Sequence, residues 1–419
     1  MTERRLDILK SWQWRAVVVA LMGMGLCAVL SAAMPERLWR AYVFAYMAIW
    51  LVTVGGMGLI ALGNLTGGHW ATEARPYYLA AARTLPLVAI LFIPIAISVE
   101  QIYPWASASG GAEHDLPPGK AWYLSPDFFR GRALAYFGVW LVVGWWLGRV
   151  SRLDVPPGQT PAMRRAGALG LVLLVPTTTF AAFDWGMSLE PHWYSSIYGA
   201  MLTACGVLAV QALAIRSLAA TEPANATPDA DLYNDLGNLL LAFLMVATYF
   251  AFSQFLIIWS ANLPSEISWY QRRLDDGWQW LGLTVALVGF ATPFLLLLSR
   301  ERKRAPRPLA AVAGLLLVMY LAHLYWIIVP AFAETGFAWQ ATNLAAPAAV
   351  GGGWLAAFWW HLRRSLQAAG GLEVPVFSQR LITSKLPASG LPDPPDTWMP
   401  GLSAAFGCVS SVRRSEMRC

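Results

Sequence analysis

The sequence predicts an all-α polytopic membrane protein with about ten transmembrane helices. Of its 419 residues, 57% are hydrophobic and only 13% are charged, where a soluble domain carries roughly 25%. Its mean hydropathy is +0.49. It also holds 22 Trp, a residue that gathers at membrane–water interfaces.

A spanning helix needs about 20 mostly apolar residues. The basic lead MTERRLDILKSWQWR runs into the first such stretch, 16–33. That stretch is as long as a span, so it is expected to stay as a first helix, although SAAMPE mimics a cleavage site. The second span, 40–63, carries TVGGMG (53–58), whose small residues allow close helix contacts. The polar stretch GHWATEARP is expected to be a solvated loop before the third span, 83–99. The fourth is 133–150. In the fifth, 166–185, Pro176 would free the carbonyl of Val172.

The sixth span, 192–216, should begin with Pro191 in its first turn, where a missing N–H costs nothing. Glu190 would then complement the positive helix end. Spans follow at 237–261, 278–299, 308–330 and 344–362, the last with a second small-residue motif, VGGGW (350–354). Residues 1–366 thus form a transmembrane domain. Residues 367–419 form a Pro-rich tail, expected to be cytoplasmic and disordered or partner-bound.

Lys and Arg divide unevenly across these spans. Of the 30, 23 fall with the N-terminus, the even-numbered connections and the tail. The clearest group is RERKRAPR (300–307). The positive-inside rule therefore puts both termini in the cytoplasm. The net charge of +6 is a topology signal and says nothing of nucleic acid.

Several chemistries are excluded. Cys27 and Cys205 lie in apolar runs, Cys408 and Cys419 in the tail. With no CxxC or CxxCH, an iron–sulfur cluster, a structural zinc and covalent haem are not expected. Of the five His, only His323 lies well inside a span, so a haem held by two transmembrane His is excluded. No GxxxxGK[ST] is present, so the chain is not itself an ATP-driven pump.

Polar residues inside a membrane are functional candidates. Tyr249, Ser253 and Ser260 fall within about 40° of one another on one helix face, given 100° per residue; Gln254 points elsewhere, toward another helix. Tyr320, His323 and Trp326 follow at steps of three. Thr177 and Asp184 are seven apart and share a face. With Glu190 and His192 in the outer connection, these groups are expected to form a polar half-channel or mouth. The competing expectation is that Ser, Thr and Tyr glue helices together, at about 0.6 kcal/mol per hydrogen bond, and that Pro191 and its aromatic neighbours merely anchor the stretch.

Four stretches carry a family resemblance: YLSPDFFRGRALAYFGVWL (123–141), DWGMSLEPHWYSSIYGA (184–200), FSQFLIIWSANLPSEISWY (252–270) and LYWIIVPAF (324–332). Together, and in this order, they resemble the F subunit of alternative complex III, the bacterial quinol:cytochrome c oxidoreductase. The resemblance runs from the second span through the tenth. It implies an NrfD-like, polysulfide-reductase-like fold of ten helices with two four-helix bundles plus peripheral helices. It also implies partners: a second NrfD-like, quinol-binding subunit, an iron–sulfur subunit and a multihaem cytochrome c subunit. Quinol would be the substrate of the complex, and haem c and iron–sulfur clusters would sit in those partners, with no cofactor bound by this chain. A proton-conducting role is also implied. One departure is His323, at a position often acidic in the family pattern; imidazole can still relay protons, because its pKa lies near neutrality.

The leading expectation is therefore a subunit of a quinol-oxidising respiratory complex in the bacterial inner membrane. A secondary transporter is the alternative, with Pro94, Pro176 and Pro347 as possible helix breaks, although no carboxylate lies deep in a span. A membrane transferase using Asp184, Glu190 and His192 as acid and base groups is a third class.

Overall fold

The computed structural model describes residues 2–370, apart from 34, 108–115, 152–154, 157, 159, 223–226, 333–335 and 338–341. The tail expectation falls on 367–419, which, beyond the end of the last helix, lies outside the described residues. The described residues contain helices and no strand. In hydrocarbon no water is present to satisfy backbone N–H and C=O groups, so a segment must pair its own, and a helix does.

The long helices are α1 (Thr2–Ala33), α2 (Pro35–Thr66), the pair α3 (His69–Ala82) and α4 (Leu85–Ile97), α5 (Pro126–Val150), α6 (Pro161–Trp185), α7 (Tyr198–Ala220) and α8 (Ala230–Ala261). An amphipathic helix α9 (Pro264–Leu274) follows. Next comes a span built from α10 (Trp278–Thr284), a π-helical stretch Val285–Ala291 and α11 (Thr292–Leu298). The series ends with α12 (Pro306–Ile328) and α13 (Thr342–Gly370). Among the described residues, nine helices, counting joined pieces as one, are long and apolar enough to cross a membrane. This is a multi-pass membrane protein. α13 covers the expected tenth span but also carries His361, Arg363 and Arg364.

Local chemistry sets many helix ends. Pro begins α5, α6, α9 and α12, where its fixed φ suits the first turn. Thr160 accepts from the Met163 amide at the start of α6, and Asp229 from Asp231 and Leu232 at the start of α8. Asn262, at φ 49°, closes α8 in the left-handed region, where Asn is tolerated.

α2 and α7 form the centre. The most apolar window of α2 is 94% buried and that of α7 78%. They cross where Gly55 faces Gly206: a Cβ on Gly55 would meet the Gly206 backbone at 2.8 Å. At the second small-residue motif, a Cβ on Gly352 would meet the Ala20 amide of α1 at 2.8 Å. Both motifs thus act as close-contact surfaces.

Contacts show which connections share an end of the bundle. Arg5 reaches the Thr221 carbonyl at 2.7 Å, Asn64 reaches Ser151 at 2.8 Å, and Arg75 reaches the Val155 carbonyl at 2.7 Å. Arg304 pairs with Asp231 at 2.7 Å. At the opposite end Trp39 donates to Gln101 at 2.9 Å, and Trp193 to the Glu266 carbonyl at 3.1 Å.

Three expectations are corrected. GHWATEARP is no loop: it opens α3, and Ala71, Ala74 and Arg75 there are buried. The third span is therefore longer and broken at Arg83–Thr84, ahead of Pro86, which sits in the first turn of α4. Pro191 does not open the sixth helix, because residues 190–197 are turns and irregular chain and α7 starts at Tyr198. Glu190 consequently lies away from the helix N-terminus and finds side-chain cations instead.

Candidate functional site

The carboxylate at the end of α6 is enclosed. Asp184 is 1% exposed. Its two oxygens accept from Arg132 of α5, from Nε at 2.9 Å and Nη2 at 3.0 Å, in a bidentate pair. The Tyr136 hydroxyl donates to Oδ2 at 2.8 Å. Arg132 is held in turn: Nη1 donates to the Tyr123 carbonyl at 2.6 Å, and the guanidinium lies 3.8 Å from the Tyr123 ring centre. One turn further along α5, Trp140 donates to Thr177 at 2.9 Å. Thr177 and Asp184 do share a face of α6, and α5 meets that face with Arg132, Tyr136 and Trp140 at steps of four.

Glu190 makes the second ion pair. Arg273, 1% exposed on its side chain, approaches Oε2 at 2.8 Å, and the half-exposed Arg272 approaches Oε1 at 3.3 Å. Arg273 also donates to the Trp269 carbonyl at 2.9 Å and the Ile327 carbonyl at 2.6 Å. Its guanidinium stacks 3.6 Å above the Trp269 ring. Burial lowers the Arg273 pKa, and Glu190 offsets this only in part. The stretch 186–197 is pinned further by Trp193 stacked on Trp269 at 4.8 Å and by Ser195 donating to Gln254 at 3.1 Å. His192 is exposed.

Below this clamp lies a cavity of about 900 Å³ between α7, α8, the α10–α11 span and α12. Trp269 and Trp326, which hold Arg273, also line it. His323 stands in its wall, with Nδ1 3.6 Å from Cys205 Sγ and its ring stacked toward Trp326, centroids 6.3 Å apart. Tyr320 turns away, donating to the Ala48 carbonyl of α2 at 2.8 Å. Among the described residues, Trp326 is the one aromatic ring that stacks toward His323, where the spacing of three suggested two.

The candidates do not gather at one point. Asp184 and Thr177 lie between α5 and α6, Glu190 under α9, and His323 in the cavity. On α8 the expected polar face looks outward: Tyr249 is 65% exposed, Ser260 is exposed, and Ser253 is half-buried. Gln254 is the inward residue, as its angle on the helix predicted. It is 2% exposed and its amide reaches the Tyr270 hydroxyl at 3.4 Å.

Sequence reasoning missed the three arginine partners, Arg132, Arg272 and Arg273, having read them only as topology signals. It also passed over Gln211, fully buried in α7, which accepts from Tyr78 and donates to the Leu236 carbonyl at 3.2 Å. A lone Gln inside VLAVQALAI was signal enough. Among the described residues, no three His, Cys, Asp or Glu gather where they could hold a metal ion.

No family model and no curated protein matches this chain.

Proposed function

We propose that this chain is a membrane subunit of a quinol:cytochrome c oxidoreductase respiratory complex, similar to the F subunit of alternative complex III. One observation carries the reading. The four stretches on which the resemblance rests are far apart in sequence and engage one another. Arg132 of the first holds Asp184 of the second. Trp193 and Ser195 of the second bind the Glu266 carbonyl and Gln254 of the third. Trp269 of the third packs on Trp326 of the fourth, centroids 5.8 Å apart. Under this reading the chain scaffolds the complex in the bacterial inner membrane, with both termini cytoplasmic. An NrfD-like quinol-binding subunit, an iron–sulfur subunit and a multihaem cytochrome c subunit are its partners and carry the haem c and clusters. Any proton transfer by this chain would involve His323, whose imidazole lines the cavity beside the neutral amides of Gln254 and Gln279. Extraction of the tagged chain in mild detergent, with haem spectra and subunit identification, tests the reading. Co-purifying multihaem and iron–sulfur subunits are expected; a chain that emerges alone and haem-free would overturn it.

A second reading, a secondary transporter, draws on the break at Arg83–Thr84 and the π-helical stretch facing the cavity, since transporters use discontinuous helices at their sites. Substrate-dependent flux in liposomes would support it, and its absence across ion gradients would remove it.

A further inference from the structure

The cavity under the Glu190–Arg273 clamp has the chemistry of a ligand site. Its volume of about 900 Å³ falls within the roughly 300–1,000 Å³ of small-molecule pockets. Its walls are almost wholly apolar, and none of the residues lining it is Asp, Glu, Lys or Arg. A phosphate or other ionic group inside would be desolvated without a counter-ion. The polar groups present are neutral hydrogen-bonders, chiefly His323, Gln254 and Gln279. Among the described residues His323 Nε2 has no hydrogen-bond partner, because its contact to Cys205 uses Nδ1.

Two further features point to an occupant that enters from the bilayer. Tyr249, Phe252 and Trp280 line the cavity and are also 58–67% exposed, so it opens sideways between α8 and α10. Part of the wall, continuing from α10, is the π-helical stretch, where Val285, Ala286 and Gly289 line the space. π-helical turns inside α-helices occur frequently at functional sites.

We propose that this cavity binds a membrane-soluble amphiphile with an uncharged, hydrogen-bonding head on a long hydrocarbon tail. The head sits at His323 Nε2 and the tail runs along the π-helical wall to the lateral opening. Two sources supply this chemistry, an acylglycerol and a prenylated or alkylated ring. The inference rests on the cavity alone and holds whether or not the chain belongs to a respiratory complex.

The test is native mass spectrometry of the full chain in mild detergent, with added monoolein, decyl-benzoquinone or dioleoyl phosphatidylglycerol as probes. Two variants act on the cavity: His323→Leu removes the head partner, and Ala286→Phe fills the space. Gly351→Leu is the control. It faces a separate cavity of about 540 Å³, with no atom within 4 Å of its added Cβ. Retention of monoolein or decyl-benzoquinone by the wild type and the control, falling at least tenfold in either cavity variant, is expected, and the probe retained identifies the source. Equal retention of phosphatidylglycerol, retention that neither cavity variant lowers, or no retention of either uncharged probe would overturn the proposal.

Discussion

Arg132 grips both oxygens of Asp184, at 2.9 and 3.0 Å, with the carboxylate 1% exposed and the guanidinium side chain 10%. Removing one partner of such a pair leaves a buried charge uncompensated. Asp184→Ala should therefore lose about 3–5 kcal/mol of stability. The double variant Asp184→Leu with Arg132→Met should lose clearly less than Asp184→Ala alone. Thermal unfolding in detergent checks this; equal losses would mean the pair is not what holds α5 to α6.

The two arginines at Glu190 should behave differently. Arg272 is half-exposed, and such pairs contribute about 0–1 kcal/mol. Arg272→Ala should leave the melting temperature nearly unchanged. Arg273 is enclosed, stacked on Trp269 and bonded to two carbonyls. Even Arg273→Lys should destabilise, because an ammonium lacks the planar fork. If both variants melt alike, the clamp is not built around Arg273.

Gly206 lies at the α2–α7 crossing, where an added Cβ would run into the Leu51 carbonyl. Backbone cannot give way as a side-chain tip can. Gly206→Val should abolish a stable fold or cost at least about 1–3 kcal/mol, as overpacking does. Gly58→Ala, with open space around it, should be silent. Yield of monodisperse protein after detergent extraction separates the two.

Sidedness follows from the single α10–α11 span lying between residues 265 and 301. Ser265→Cys and Glu301→Cys should label from opposite faces of the membrane with an impermeant maleimide. Glu301→Cys should label only after permeabilisation, because its loop belongs to the Arg-rich end. Labelling of both from one face would break the span assignment.

Loss of the Trp140–Thr177 hydrogen bond tests the shared face of α6. Thr177→Val should cost about 1 kcal/mol, in the range of intramembrane hydrogen bonds, and Thr179→Val less. Thr179 donates only to the Val175 carbonyl of its own helix, at 2.8 Å. Equal unfolding midpoints for the two variants would remove Thr177 from the α5–α6 contact.

The membrane character, most of the spans and the grouping of connections were legible in the chain itself, although the third and sixth helices begin elsewhere than their composition suggested. Hydropathy and charge are properties of each segment's own composition, so 40–63 reads as a span wherever it packs, and RERKRAPR marks its end of the bundle alone. Helical periodicity likewise separated Gln254 from Tyr249 and put Thr177 beside Asp184. What local pattern could not supply was which side of a helix faces protein. In a bilayer the lipid-facing side is as apolar as the packed side, so Tyr249 and Ser260 looked as internal as Gln254 until the neighbours of α8 were in place. Pairing was equally out of reach. Asp184 and Glu190 read as a mouth shared with His192, yet each is neutralised by an arginine from another helix, 52 and 83 residues away in sequence. Only the tertiary structure brings those charges together, because burying a carboxylate is tolerable only where a cation arrives with it.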